Sequence, residues 1–217
     1  KNILDFLLEQ KWNTKTVSFF WWEPLLEFEL LKKLTLHAKQ RAMELNKKVN
    51  FCIATNFMLM NEKSMSFLKE NNFDIHISIN GDPKNNNILR DNSSDLVFSK
   101  VDTLMSNSDK KNICILIAFW PNEVKNIRVN ILYLINKGFV KFNFELIYGE
   151  NFTWKKQDIV NAVKEIKFLY TQHPELDIMN THKSENFLDI DTKGTCSDNS
   201  LEFYNIRWVN SSHTAPE

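Results

Sequence analysis

Short apolar runs alternate with amphipathic stretches along most of this chain, and that alternation restricts its fold more than any other feature. Residues 16–20, 49–54, 73–79, 112–119 and 139–147 are brief, apolar and strand-like. A stretch with helical character follows each one. Leu26, Leu30, Leu34 and Ala38 recur at helical intervals across 25–46, and Pro24 suits the first turn. Asn61 can cap a helix over 62–70. The spacing predicts further helices over 94–105, from Pro121 to Gly138, and over 153–172 before Pro174. A leading helix over 2–10 gathers Ile3, Leu4, Leu7 and Leu8 on one face, and a polar loop spans 80–92.

Five such units predict an α/β fold with a parallel sheet covered by helices. Periodicity alone leaves an open doubly wound sheet and a barrel both standing. The pattern stops near Met179, so 1–179 reads as one α/β unit and 180–217 as a short polar C-terminal extension. Lys+Arg and Asp+Glu both total 27, and this balance argues against a dedicated nucleic-acid binder. The apolar run at 113–120 is far shorter than the roughly 20 residues that cross a bilayer, so no membrane partner is expected. Residues 1–5 carry no leader pattern and read as the interior of a longer protein. Cys52, Cys114 and Cys196 are widely scattered, which gives no disulfide framework and suits a reducing cytoplasm. Four glycines are few for a chain with so many strand–helix turns.

Ligands of parallel α/β folds sit at the carboxyl ends of the strands. The residues there are Trp21, Trp22, Glu23 and Pro24, then Thr55, Asn56 and Phe57. Ser78, Asn80, Gly81 and Asp82 come next, with Arg90 further along the loop, and Glu145 and Glu150 belong to the last unit. Each has a plain structural reading. Glu23 suits a first helical turn, where the dipole favours an acid. Asn80-Gly81-Asp82 suits a turn, and Arg90 beside Asp91 suits a solvated charge. His76 reads as a packed histidine, while His182 and His213 have no partner at metal-binding spacing.

Taken in order, Trp21-Trp22-Glu23-Pro24, Thr55-Asn56-Phe57, Ser78-Ile79-Asn80-Gly81 and Asn86-Asn87-Ile88-Leu89-Arg90 resemble a known series. They are similar to the Gly-Gly-Glu-Pro, Thr-Asn-Gly, Ser-x-Asp-Gly and His-Asn/Asp-x-x-Arg motifs of radical S-adenosylmethionine (radical SAM) enzymes. The resemblance is to the peptide-modifying branch, whose members often carry a C-terminal SPASM domain. It implies a partial parallel (β/α) barrel of the radical SAM type over 1–179, without the first strand and its cluster loop. Residues 180–217 would then be a linker and the start of a SPASM-like region. The implied cofactors are S-adenosylmethionine and a [4Fe–4S] cluster, and the implied partner is a peptide or protein substrate.

By the same resemblance Glu23 receives the methionine amino group, Asn56 lines that pocket, and Ser78 and Arg90 face the methionine carboxylate or the ribose. The departures matter as well. Trp21, Trp22 and Phe57 stand where the family has glycine, Asn80 replaces an Asp, and Asn86 replaces a His. Indoles at those positions are expected to fill the methionine pocket or force the turn open. The family's three-cysteine CxxxCxxC loop does not occur in the sequence, although Cys196, in Lys193-Gly194-Thr195-Cys196, is a candidate ligand for an auxiliary cluster. The expectation is a mutated or truncated relative that does not perform the family's reductive cleavage of SAM alone. The alternatives are a non-catalytic peptide-binding barrel, or an α/β hydrolase using strand-end carboxylates from Glu23, Asp82, Glu145 and Glu150.

Overall fold

The structure, a computed structural model, describes residues 3–11, 13–20, 22–147 and 153–178. Among these residues six strands form one sheet: β1 (Thr14–Phe19), β2 (Lys48–Thr55), β3 (Phe73–Ser78), β4 (Cys114–Phe119), β5 (Lys141–Leu146) and β6 (Asp177–Ile178). Every neighbouring pair is parallel, and the strands lie in sequence order from β1 to β6. That order settles what periodicity left open. A doubly wound sheet reverses its strand order at a switch point. Here the chain steps in one direction throughout, so right-handed crossovers place the helices on one face. The result is a partial (β/α) barrel.

The helices are α1 (Ile3–Glu9), α2 (Phe28–Glu44), α3 (Glu62–Glu70), α4 (Pro83–Leu89), α5 (Ser94–Leu104), α6 (Asn107–Asn112), α7 (Ile127–Asn136) and α8 (Lys156–Gln172). Two were not expected from periodicity. α4 lies inside the 80–92 loop, where Asp82 Oδ1 accepts from Asn85 N at 2.7 Å and Pro83 opens the first turn. Its Lys-Asn-Asn-Asn run has no apolar repeat to betray a helix. α6 is held by reciprocal capping between Ser106 and Asp109, and β4 consequently begins at Cys114 rather than 112. The helices expected from residues 25 and 121 both begin with 3₁₀ turns, Pro24–Glu27 and Pro121–Asn126. β6, of two residues, is too short to leave a pattern.

Alternation along the strands sorts two faces. Phe51, Ile53, Ile75, Ile77, Ile115, Ile117, Phe142 and Phe144 join one buried core with the helices, and Phe51 stacks on Phe73 with ring centroids 5.2 Å apart. The opposite positions carry Thr16, Ser18, Asn50, Cys52, Asp74, His76, Ser78, Asn143 and Glu145. This inner face is the concave side of the partial barrel, and its polar side chains include those of the candidate site. Among the described residues no helix is long and apolar enough to cross a membrane.

Candidate functional site

Glu23 is buried at the carboxyl end of β1, and its carboxylate joins three segments. Oε1 accepts from Thr55 Oγ1 at 2.8 Å and from Leu25 N at 3.1 Å, and Oε2 accepts from the Asn56 backbone N–H at 2.8 Å. Glu23 therefore caps the turn that follows it and ties β1 to the end of β2. A carboxylate offers about four lone-pair sites, so roughly one acceptor position stays open. Asn56 turns its Oδ1 onto Met58 N at 2.9 Å, and the Thr55 hydroxyl accepts from Phe57 N at 2.9 Å. Lys100 of α5 donates to the Met58 and Met60 carbonyls and pins the far side of this loop. Sequence reasoning set Thr55 in the strand-end series but gave it no role in the site. A threonine at a strand end is common, and only its 2.8 Å contact with a residue 32 positions away marks it.

The glycine-replacing residues behave in two ways. Trp22 has φ +51° and Phe57 has φ +66°, both in the left-handed region that suits glycine. The backbone keeps a glycine-like turn at both places, at a cost of about 1–3 kcal/mol for each bulky residue. The Trp22 side chain, however, is 87% exposed, and the Phe57 ring is fully buried in the core. Trp22 therefore does not fill a methionine pocket, which corrects the steric expectation for that residue. Trp21 lies outside the described residues.

A second polar group stands on β3 and the α4 segment. Continuing the β2–β3 register by one step from Thr55 and Ile77 places Asn56 beside Ser78, which is half-buried on the inner face. Asn80, 1% exposed, is gripped from several sides. Its N–H donates to Asn86 Oδ1 at 2.9 Å, and its carbonyl accepts from Asn85 Nδ2. Its Oδ1 accepts from Arg90 Nη2 at 3.1 Å and from Ala118 N at 3.4 Å. Asn86, the residue in the family's His position, is itself fully buried and donates onward to Ser94 Oγ at 3.1 Å.

Behind this turn, Gly81 has φ +108°, and a Cβ there would lie 2.2 Å from Asn130 Cγ. Asn130, buried on α7, also accepts from Asp82 N at 3.3 Å. α7 thereby fixes the turn that presents Asn80 and Arg90. Nothing in the sequence marks Asn130, which falls among helical apolar residues.

Among the described residues, three buried side-chain polar atoms have no hydrogen-bond partner: Asn80 Nδ2, Arg90 Nε and Asn143 Oδ1. Burial pushes the Arg90 guanidinium down to about 10, against the opposing pull of the Glu145 carboxylate. An anion beside Arg90 would favour its charged form, and the guanidinium fork suits a carboxylate. The structure thus brings Glu23 and Asn56 into direct contact and sets Ser78 and Arg90 around Asn80.

The two described cysteines, Cys52 and Cys114, do not form an iron–sulfur ligand set. Cys52 and Cys114 lie on β2 and β4 with β3 between them, and burial, with the Asp177 carboxylate adding to it, pushes the Cys114 thiol up to about 12. Among the described residues no group of three or more His, Cys, Asp or Glu could hold a metal ion, and Cys196 lies outside them. A cleft of about 190 Å³ lined by Met65, Phe73, Met105 and Asn112 opens at the amino-terminal end of β3 and β4, away from these side chains.

No family model matches the chain. The uncharacterized protein MJ0907 of Methanocaldococcus jannaschii is 36% identical over 90 residues, covering 42% of this chain and 30% of that protein. Among solved structures, native anSMEcpe with bound AdoMet superposes with a TM-score of 0.69 at 19% identity, covering 82% of this chain. The fold is shared with anSMEcpe. Streptococcus suis SuiB bound to S-adenosylmethionine superposes with a TM-score of 0.59 at 17% identity, covering 75% of this chain. The chain spans 53% of the anSMEcpe chain and 37% of the SuiB chain.

Proposed function

We propose that the chain is the greater part of the barrel of a radical SAM protein of the peptide-modifying branch, and that its strand ends hold S-adenosylmethionine. One observation carries this reading. Asn80 Nδ2 and Arg90 Nε are buried donors without partners, and Arg90 is one of the residues that the resemblance assigns to the SAM carboxylate or ribose. An unmet buried donor costs about 1–3 kcal/mol, which a ligand oxygen would recover. Arg90 and Asn80 then bind the carboxylate, Ser78 donates or accepts beside it, and Asn56 lines the adjoining wall. The remaining acceptor position of Glu23 receives the amino group. Bound SAM supplies the sulfonium whose C–S bond the family's reaction breaks. The family's [4Fe–4S] cluster has no fitting ligands here, so we derive no step through it, and the 217 residues alone are expected not to cleave SAM.

The partner in this reading is a peptide or protein, as in anSMEcpe with AdoMet and Cp18Cys peptide and in SuiB bound to precursor peptide SuiA. Residues 180–217 are proposed as a linker and the start of a SPASM-like region, and the compartment as the cytoplasm. A non-catalytic peptide-binding barrel is the second reading. It gains weight from the sequence lacking a CxxxCxxC loop. The hydrolase reading has less support, because the carboxylates of Glu23 and Asp82 are both engaged in capping.

Calorimetric titration of SAM into the chain tests the proposal. Saturable binding that Arg90→Met abolishes is the expected result, and no binding at millimolar SAM overturns it. 5′-Deoxyadenosine formed by the isolated chain after anaerobic iron reconstitution would overturn the inactivity.

A further inference from the structure

Glu145 is the strand-end acid that neither the capping contacts nor the SAM reading uses. The Glu23 carboxylate ties β1 to β2, and Asp82 Oδ1 accepts from Asn85 N to cap α4. Glu145 stands half-buried on the inner face of β5. In register it lies opposite Ala118 of β4, whose N–H donates to Asn80 Oδ1 at 3.4 Å. Arg90 Nη2 donates to that same oxygen at 3.1 Å. One strand spacing of about 4.8 Å therefore separates the Glu145 backbone from the strand on which Asn80 and Arg90 close. The two charges feel each other, since Glu145 favours the protonated guanidinium against the effect of burial.

The other charged inner-face positions of β2, β3, β5 and β6 lie nearer the amino ends of the strands, where Lys48 and Lys141 balance Asp74 and Asp177. Lys141 is four residues back from Glu145, roughly 13 Å along β5. Glu23, Arg90 and Glu145 therefore give the site one surplus negative charge. SAM carries an ammonium, a carboxylate and a sulfonium, and so one surplus positive charge. In the reading above the ammonium goes to Glu23 and the carboxylate to Arg90, which leaves the sulfonium to be balanced. We propose that Glu145 balances it through space, and that this carboxylate makes the site select a cationic sulfonium over a neutral thioether. Glu145 is then a specificity determinant on a strand that no motif marks. The proposal rests on the SAM reading and adds a charge preference to it. Opposite charges about 10 Å apart in a medium of effective dielectric near 20 change binding roughly tenfold.

The test is equilibrium binding of SAM and of S-adenosylhomocysteine, its neutral thioether, to the 217-residue chain and to Glu145→Gln and Glu145→Asp. The readout is the ratio of the two affinities within each protein, which a general loss of fold does not move. The wild-type chain is expected to prefer SAM by about tenfold, and Glu145→Gln is expected to bring the ratio within about threefold of one by weakening SAM alone. Glu145→Asp keeps the charge and should keep most of the preference. A preference that survives Glu145→Gln unchanged overturns the proposal and leaves the SAM reading standing. So does a wild-type chain that binds both ligands equally, or a Glu145→Gln chain that loses both in proportion. A wild-type chain that binds neither ligand at millimolar concentration overturns the SAM reading and this proposal together.

Discussion

The two polar corners of the sheet differ in how completely they are satisfied. At the ends of β1 and β2, Glu23 accepts from three donors, Thr55 relays to Phe57, and Asn56 closes onto Met58. At the ends of β3 to β5, Asn80, Arg90 and Asn143 each keep a buried polar atom without a partner. A buried, unmet polar group costs about 1–3 kcal/mol, so the second corner needs support from its surroundings. The Gly81–Asn130 contact and the Asn86–Ser94 bond do the holding. The first corner is nearly satisfied in the free protein, with about one Glu23 acceptor position left open. The second is incomplete, and in the proposed reading a ligand gains most there.

The largest expected effect breaks the rigid support. Gly81→Ala drives a Cβ into Asn130 at a positive φ and should lower stability by about 4 kcal/mol, read by urea denaturation. Asn130→Ala in the same chain should return the steric share and leave only the backbone strain. A Gly81→Ala loss within about 1 kcal/mol would mean that α7 does not fix this turn.

Next comes the nearly satisfied corner. Glu23→Leu strands three donors and should lower stability by about 3 kcal/mol, whereas Glu23→Gln should lose only about 1 kcal/mol. Arg90→Met provides the contrast. It removes a buried cation with an unmet Nε, so stability should move by less than about 1 kcal/mol while SAM affinity falls about tenfold or more. Equal stability losses at Glu23 and Arg90 would erase the distinction between the corners.

Trp22→Gly should raise stability by about 0.5–1 kcal/mol, since glycine adopts φ +51° freely and the exposed ring gives up little packing. SAM affinity should stay within about threefold, and a tenfold gain would restore the idea that this indole obstructs the site.

The smallest effect concerns pH. Burial holds the His76 imidazole below its ordinary value, with Asp74 opposing. The unfolded chain therefore takes up this proton before the folded one does. Stability is unaffected above the ordinary histidine value near 6.5 and is lost as pH falls below it. His76→Gln should flatten the stability profile below about pH 6.5.

The legible part of the site was the part built from local segments. Glu23-Pro24, Thr55-Asn56 and Ser78 to Arg90 could be placed at strand ends because each lies next to an apolar run or in the loop that follows one. Asn86 was read as a substitution at a His position, but its role as the acceptor for Asn80 N needed the fold of α4. Asn143 was invisible for a different reason. Alternation in β5 hides one polar residue among inward positions, and register alone shows it opposite Leu116.

By itself, then, the sequence determined that strands and helices alternate and that polar residues collect after the strands. These are properties of neighbours in the chain, set by periodicity and local backbone preference. Only the tertiary structure decided the sequential strand order, the outward turn of Trp22, the burial of Phe57 and the pairing of Asn130 with Gly81. Each depends on groups brought together from distant positions, as when Thr55 meets Glu23 across 32 residues and Asn130 meets Asp82 across 48. Packing and hydrogen bonding over such separations select one arrangement from many that the local pattern allows.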